Sequence, residues 1–420
     1  MSQNLQRVVS ALTGVILLAL IFAGVGFEIA AKQIWPYYKI QQARLIVTSL
    51  ILNGEVIGEG RQKPAPAGAS RDFITINDPE ASIGSGYFAL LALDTARAAY
   101  SVFLYSADGT LRHTWPIDEL TYTDKAKHNQ NAPHAMEILP DGTALVSFDW
   151  LGFVARIDAC GDAMWGKDGF YHHSFSPASD GGIWTWYGAE TAYGQFQDIL
   201  KFDPLTGEDM ARISLTDLIR QSPENALVFS MFPDFPFISD SNKPRDIFHP
   251  NDVEELMPEM ASAFPQFEAG DLMVSIRELD MVLIMSQDGE IKWYKQGPWL
   301  KQHDPDFEPD GHISVYNNSR FRPRSSIITV DPKTGNSFNA MPAFTGKFNS
   351  AFRGKHQLLP NGNRLVTIPE QGQALEISPE GAIVMEFNNV VPSNPTLNDD
   401  LVNAKWLPDG FFDTMPSCVR

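Results

Sequence analysis

The sequence predicts an all-β protein, a six-bladed β-propeller preceded by an N-terminal transmembrane helix. A strand-and-turn unit recurs six times between Gly86 and Asn389, at a spacing of roughly forty to sixty residues. The 29 Pro, 31 Gly and 27 Phe of the 420 residues suit short strands and many turns. One uncharged apolar run stands near the start of the chain.

That run, Val8 to Phe27, has only Ser10 and Thr13 as polar side chains and matches the length a helix needs to cross a bilayer. Trp35, Tyr37 and Tyr38 come after it, residues suited to the membrane interface. A cleaved signal peptide is the rival reading, with Gly24 and Gly26 near a cleavage site, but the run is long for that role. The charges do not orient it: Arg7 lies on one side, and Lys32, Lys39 and Arg44 on the other. The organisation expected is residues 1–34 carrying the anchor (span 8–27), residues 35–80 a helical or linker segment, and residues 81–420 the propeller.

The fullest form of the repeat is a His, a turn Gly eight residues later, an apolar strand, a second strand, and a Gly turn. His134 leads to Asp141-Gly142, His173 to Asp180-Gly181 and His303 to Asp310-Gly311. His249 precedes Gly270 at a longer distance, and His356 precedes "LLPNGNRLVTI". The unit "GYFALLALD" with "SVFLYSADGTLRHTW" lacks the leading His. A blade cannot bury its own faces, so such units stack radially around a channel. The closing "NAKWLPDGFF" is placed to supply the first strand of the first blade. Equivalent strand starts face one end of the channel, so several imidazoles converge there or else each bonds a neighbouring turn.

Charge narrows the function. Lys and Arg number 32 against 51 Asp and Glu, a net charge of -19, which repels phosphate backbones and excludes nucleic acid as a partner. There is no Gly-rich phosphate loop and no sign of a cofactor. Cys160 and Cys418 are too few for a disulfide framework or a zinc site; a pair in an oxidising compartment and two free thiols both stay open. "DPDFEPDG" is acidic, but its prolines spoil a calcium loop, and no metal is expected. Phe232 lies in an aromatic stretch, Leu227 to Phe237, which reads as a rim loop or as an apolar wall for an aromatic ligand.

"FHPNDVEEL", then "GDLMVSIRELDMVLIMSQDGEIKWYKQGPW", "QHDPDFEPDGHISVYNNSR" and "GKHQLLPNGNRLV" resemble the bacterial arylsulfate sulfotransferase family, well over His249 to Ile368 and loosely over the rest. The resemblance implies a six-bladed propeller, secreted or anchored outside the cytoplasmic membrane. It implies sulfuryl transfer from an aryl sulfate donor to a phenolic acceptor, without a nucleotide donor, through a sulfohistidine. Carried over residue by residue, it makes His249, His303, His356 and Arg320 catalytic, with His356 the attacking group. Arg322 stands close enough to Arg320 to take its place. Arg277 and Phe232 are expected to contact substrate, although Arg277 could equally pair with Glu278 or Asp280. The chain departs from the family at Pro305 and Asp306, where a small residue and an Asn-like side chain are expected, and in lacking a close cysteine pair. The chemistry is self-consistent: a neutral imidazole is a competent nucleophile, and fixed donors around three sulfuryl oxygens favour the transition state. A non-catalytic anchored propeller acting as a scaffold subunit is the alternative, to be preferred if these groups do not converge.

Overall fold

The structure is a computed structural model that describes residues 13–15, 17–26, 62–126, 131–148, 151–188, 198–229, 248–319 and 324–419. Met1–Gly58 and Glu59–Arg420 form two separate compact units. Of the apolar run, residues 17–26 form a continuous helix and the remainder lies largely outside the described residues. Among the described residues no helix is long and apolar enough to cross a membrane, so the expected transmembrane span is not found there.

The second unit is a ring of six four-stranded antiparallel blades. Blade 1 joins the closing strand Leu401–Leu407 to Tyr87–Asp94, Ala99–Ser106 and Leu111–Pro116. Blades 2 to 6 start on the inner strands Ala135–Ile138, Phe170–Pro177, Pro250–Glu255, His303–Phe307 and Lys355–Leu358, each continued outward by three strands in chain order. Ile74–Ile76 pairs with Ile383–Asn388 and adds a fifth strand to blade 6. The expected linker therefore ends early. Three residues are too short for their alternation to stand out, and only pairing with blade 6 makes them a strand.

Each blade exposes two apolar faces that only its neighbours can cover, and six apolar clusters fill the six interfaces. Tryptophans cross these seams. Trp115 of blade 1 donates to the Gly142 carbonyl of blade 2 at 2.9 Å, and Trp184 of blade 3 to Glu255 of blade 4 at 2.7 Å. Both are fully buried, each contributing on the order of 2–3 kcal/mol, with the indole N–H satisfied.

Cys160, in the turn after Phe153–Ile157, forms a disulfide with Cys418, with Cα atoms 4.8 Å apart. The bridge closes 258 residues of chain and fastens the tail beyond the ring-closing strand. Reduction is expected to lower stability by about 2–4 kcal/mol, read as a fall in melting temperature that a Cys160→Ser variant no longer shows.

Candidate functional site

The inner strands carry their functional side chains through local backbone irregularity. Pairing shifts register between His172 and Ser176 in blade 3, Pro250 and Asp252 in blade 4, His303 and Pro305 in blade 5, and Leu401 and Asn403 in blade 1. His173 (φ 62°), His249 (φ 43°), Asp304 (φ 50°) and Arg353 (φ 58°) take left-handed conformations at the same level. Bulges and positive φ cost stability and are concentrated where a side chain must be re-aimed.

They deliver five imidazoles to one place. The His134 ring lies 4.2 Å from that of His173 and 5.2 Å from that of His172; His172 and His173 are 3.8 Å apart. His249 and His303 each sit 5.3 Å from His173. The Nε2 atoms of His173 and His249 are 3.2 Å apart, close enough to share one proton. A pocket beside the rings draws on all six blades: Val402 and Asn403, His134, His173, Asn251, His303, and Arg353, Gly354 and Lys355. In blade 6 the position eight residues before the turn Gly362 is Gly354 (φ 120°), where a Cβ would come within 2.5 Å of the Tyr316 ring. No side chain fits there.

Burial pushes His173, His249 and His303 well below the ordinary imidazole value. The other imidazoles add to this at His173, and the Arg277 guanidinium at His249 and His303. These rings are therefore neutral at pH 7 and bring no positive charge to the site. Arg277 itself is held by Glu278, at 2.7 Å. A group whose folded pKa is depressed stays neutral while the unfolded chain takes up a proton, so stability falls as pH drops below about 6.5. His173→Asn removes that loss. Relative to the parent it is expected to gain up to about 1.4 kcal/mol between pH 6.5 and 5.5, checked by denaturant unfolding at both pH values.

His303 differs from its neighbours in having its tautomer fixed. Asn318 Nδ2 donates to the carbonyls of Ser350 (2.8 Å) and Arg353, which turns its Oδ1 toward His303 Nδ1 at 2.7 Å. Nδ1 must carry the hydrogen, and Nε2 the lone pair. That Nε2 is buried and has no hydrogen-bond partner.

His356 lies in a different setting. Its Nδ1 bonds Asp304 at 3.0 Å, and its Nε2 bonds the Ser314 hydroxyl at 2.7 Å, which itself donates to Glu308. Both ring nitrogens are engaged. Lys355 bridges Asp304 (2.6 Å) and Asp252 (3.2 Å). Burial would raise the Asp304 pKa, but Lys355 and His356 bring it down to about 2. Asp306 and Glu254, buried among the other carboxylates, are pushed well above the usual range. Asp304, Asp306 and His356 together have the spacing of metal ligands, as do His172, His173 and His249.

Of the residues singled out in the sequence, His249 and His303 join the cluster with His134 and His173, and Arg277 flanks it. His356 does not touch it. Its turn Gly362 comes after six residues rather than eight, a displacement visible in the sequence. Arg320, Arg322 and Phe232 lie outside the described residues. Sequence reasoning missed His172, which is adjacent to a repeat His, and Asn318, the second residue of "NN", for which only proximity to the family-like segment gave a hint.

No curated protein matches the chain in sequence. Among solved structures it is similar to a protein of unknown function from Bacteroides caccae (11% identity, 76% of this chain and 98% of that one, TM-score 0.49). It is also similar to TolB from Acinetobacter baumannii (14%, 78% and 69%, TM-score 0.42) and to virginiamycin B lyase from Staphylococcus aureus (12%, 63% and 72%, TM-score 0.35). Likeness of this degree says nothing about chemistry. The arylsulfotransferase (ASST) family model matches residues 135–390, over half of the 420 residues, and includes the inner strands of blades 2 to 6. With that match added to a six-bladed ring and histidines gathered at its axis, the chain belongs to the arylsulfotransferase family.

Proposed function

We propose that the protein moves a sulfuryl group from an aryl sulfate to a phenol through a sulfohistidine formed on His303. The observation that carries this reading is the unpartnered Nε2 of His303, with the hydrogen on Nδ1 held by Asn318. Nε2 attacks sulfur, the S–N bond forms and the S–O bond to the arene breaks, releasing a phenolate. The His173–His249 pair is neutral, so the phenolate leaves as the anion, with the N–H between the two Nε2 atoms free to hydrogen-bond it, and takes its proton from solvent. In the second half-reaction the neutral pair accepts the acceptor phenol's proton as the phenol oxygen attacks sulfur and the S–N bond breaks, and then passes that proton to solvent. Asn318 Oδ1 faces the ring as it gains positive charge, orienting it throughout. His356, the attacking group by family resemblance, instead positions Asp304 beside His303.

Among the described residues, the fixed cations near the pocket have carboxylate partners: Arg277 has Glu278, Arg353 has Asp400 and Glu370, and Lys355 has Asp304 and Asp252. Electrostatic help to the sulfuryl oxygens is therefore local, and Arg320 and Arg322 are further candidates for it. The Cys160–Cys418 disulfide supports placing the body in an oxidising compartment outside the cytoplasm, with the 8–27 run as its anchor. The reading is tested with a chromogenic aryl sulfate and a phenol. Ping-pong kinetics, with an acid limb of kcat/KM well below pH 6.5, are expected because the attacking imidazole resists protonation. Absence of turnover over a range of donors and acceptors contradicts it.

A further inference from the structure

We propose that His172, His173 and His249 form a binding site for a divalent transition-metal ion of the Zn2+ class. The ring nitrogens that these three residues offer all lie within 4.8 Å of one another. Zinc bound to imidazole at about 2.0–2.1 Å in tetrahedral geometry sets its ligand atoms about 3.3–3.4 Å apart. The His173 and His249 Nε2 atoms, 3.2 Å apart, already define such an edge.

Two further observations point to a cation here. His303 Nε2 and Asn251 Oδ1 have no hydrogen-bond partner, although their residues are 4% and 1% exposed, and both residues line the pocket beside His173. Buried lone pairs left unmatched call for a donor or a cation, and two on one pocket are costly. The nearby donor set is nitrogen-rich, which suits Zn2+, Cu2+ or Ni2+ and not Ca2+ or Mg2+. His173 and His249, whose Nε2 atoms are 3.2 Å apart, are both held at positive φ, so the backbone bears a cost to keep them together.

The metal occupies the His173 and His249 nitrogens that the proposed sulfuryl transfer uses for its proton, so the two readings describe the metal-loaded and the metal-free protein. Metal binding is read in the resting protein with no sulfate ester present, so either reading can fail while the other stands. Zn2+ titrated into the metal-free full chain by calorimetry is expected to bind at one equivalent with a submicromolar Kd. His173→Asn and His249→Asn each weaken it more than about a hundredfold, beyond the 10–100-fold that an outer partner costs, while His312→Ala leaves it unchanged. Asn tolerates the left-handed backbone, so these variants remove the ligand without demanding a new fold. Co2+ added to the parent supplies a readout that needs no variant, the intense visible absorption of a four-coordinate, nitrogen-ligated ion. Binding below one equivalent, equal affinity in the parent and His173→Asn, or Co2+ absorption of the six-coordinate aqueous kind overturns the proposal.

Discussion

His303→Ala is expected to lower kcat/KM for aryl sulfate by at least about a thousandfold, and no choice of acceptor should restore it. The loss has its origin in the site: the variant deletes the Nε2 lone pair that Asn318 presents to the pocket, and the other clustered imidazoles keep their places. It also strands the Asn318 Oδ1, at about 1–3 kcal/mol. Circular dichroism and melting temperature separate that cost from the chemical one. Asn318→Ala leaves the nucleophile but frees its tautomer and orientation, so kcat is expected to fall by about a hundredfold or more. His356→Gln should lower stability, since it breaks contacts to Asp304 and Ser314, yet leave a sulfuryl-accepting nitrogen in place.

The largest expected stability effect lies where the ring closes. Asp400, 3% exposed, accepts from the Tyr100 hydroxyl of blade 1 at 2.8 Å and pairs with Lys63 at 2.5 Å and Arg353 of blade 6 at 3.5 Å. Lys63 belongs to a short strand, Lys63–Pro64, that pairs with Leu397–Asn398 just before the closing strand. Asp400→Ala leaves two cations without this partner, Lys63 fully buried and Arg353 largely so, and is expected to cost about 3–5 kcal/mol in denaturant unfolding. Burial would raise the Asp400 pKa, but Arg353 and Lys63 lower it to about 2. For a depressed carboxylate the stabilisation is present above the unfolded value near 3.9 and is lost as pH falls toward 2. The parent should therefore lose about 2–3 kcal/mol across that window that the variant does not.

The ring of blades was legible because Asp-Gly or Asn-Gly turns recur at a fixed distance after the inner strands of blades 2, 3, 5 and 6, a constraint that a tight turn writes directly into residue type, with blade 4 the exception. Closure by Asn403 to Phe412 was legible for the same reason, since Asp409-Gly410 is one more copy of the turn. The consequences of strand register were not legible. A bulge shifts which residue points to the axis without changing composition, so the pairing of His172 with His173, the unpaired Nε2 of His303 and the removal of His356 into an acidic nest all needed coordinates. Asp252 and Glu254 of blade 4 and Glu308 of the neighbouring blade 5 lie within the family-like segments, but nothing in those segments states that their carboxylates meet. The Cys160–Cys418 bridge likewise depends on where the tail runs after the ring is closed, which no spacing between two cysteines can state.

The most direct test is to trap the covalent intermediate. The protein is mixed with an isotopically labelled aryl sulfate in the absence of acceptor, quenched under alkaline conditions that preserve S–N bonds, and digested for mass spectrometry. The label is expected on the peptide containing His303 and should vanish in His303→Ala. Label on His356 or on His249, or turnover with no labelled histidine, contradicts the assignment of His303 as the group that carries sulfur between donor and acceptor.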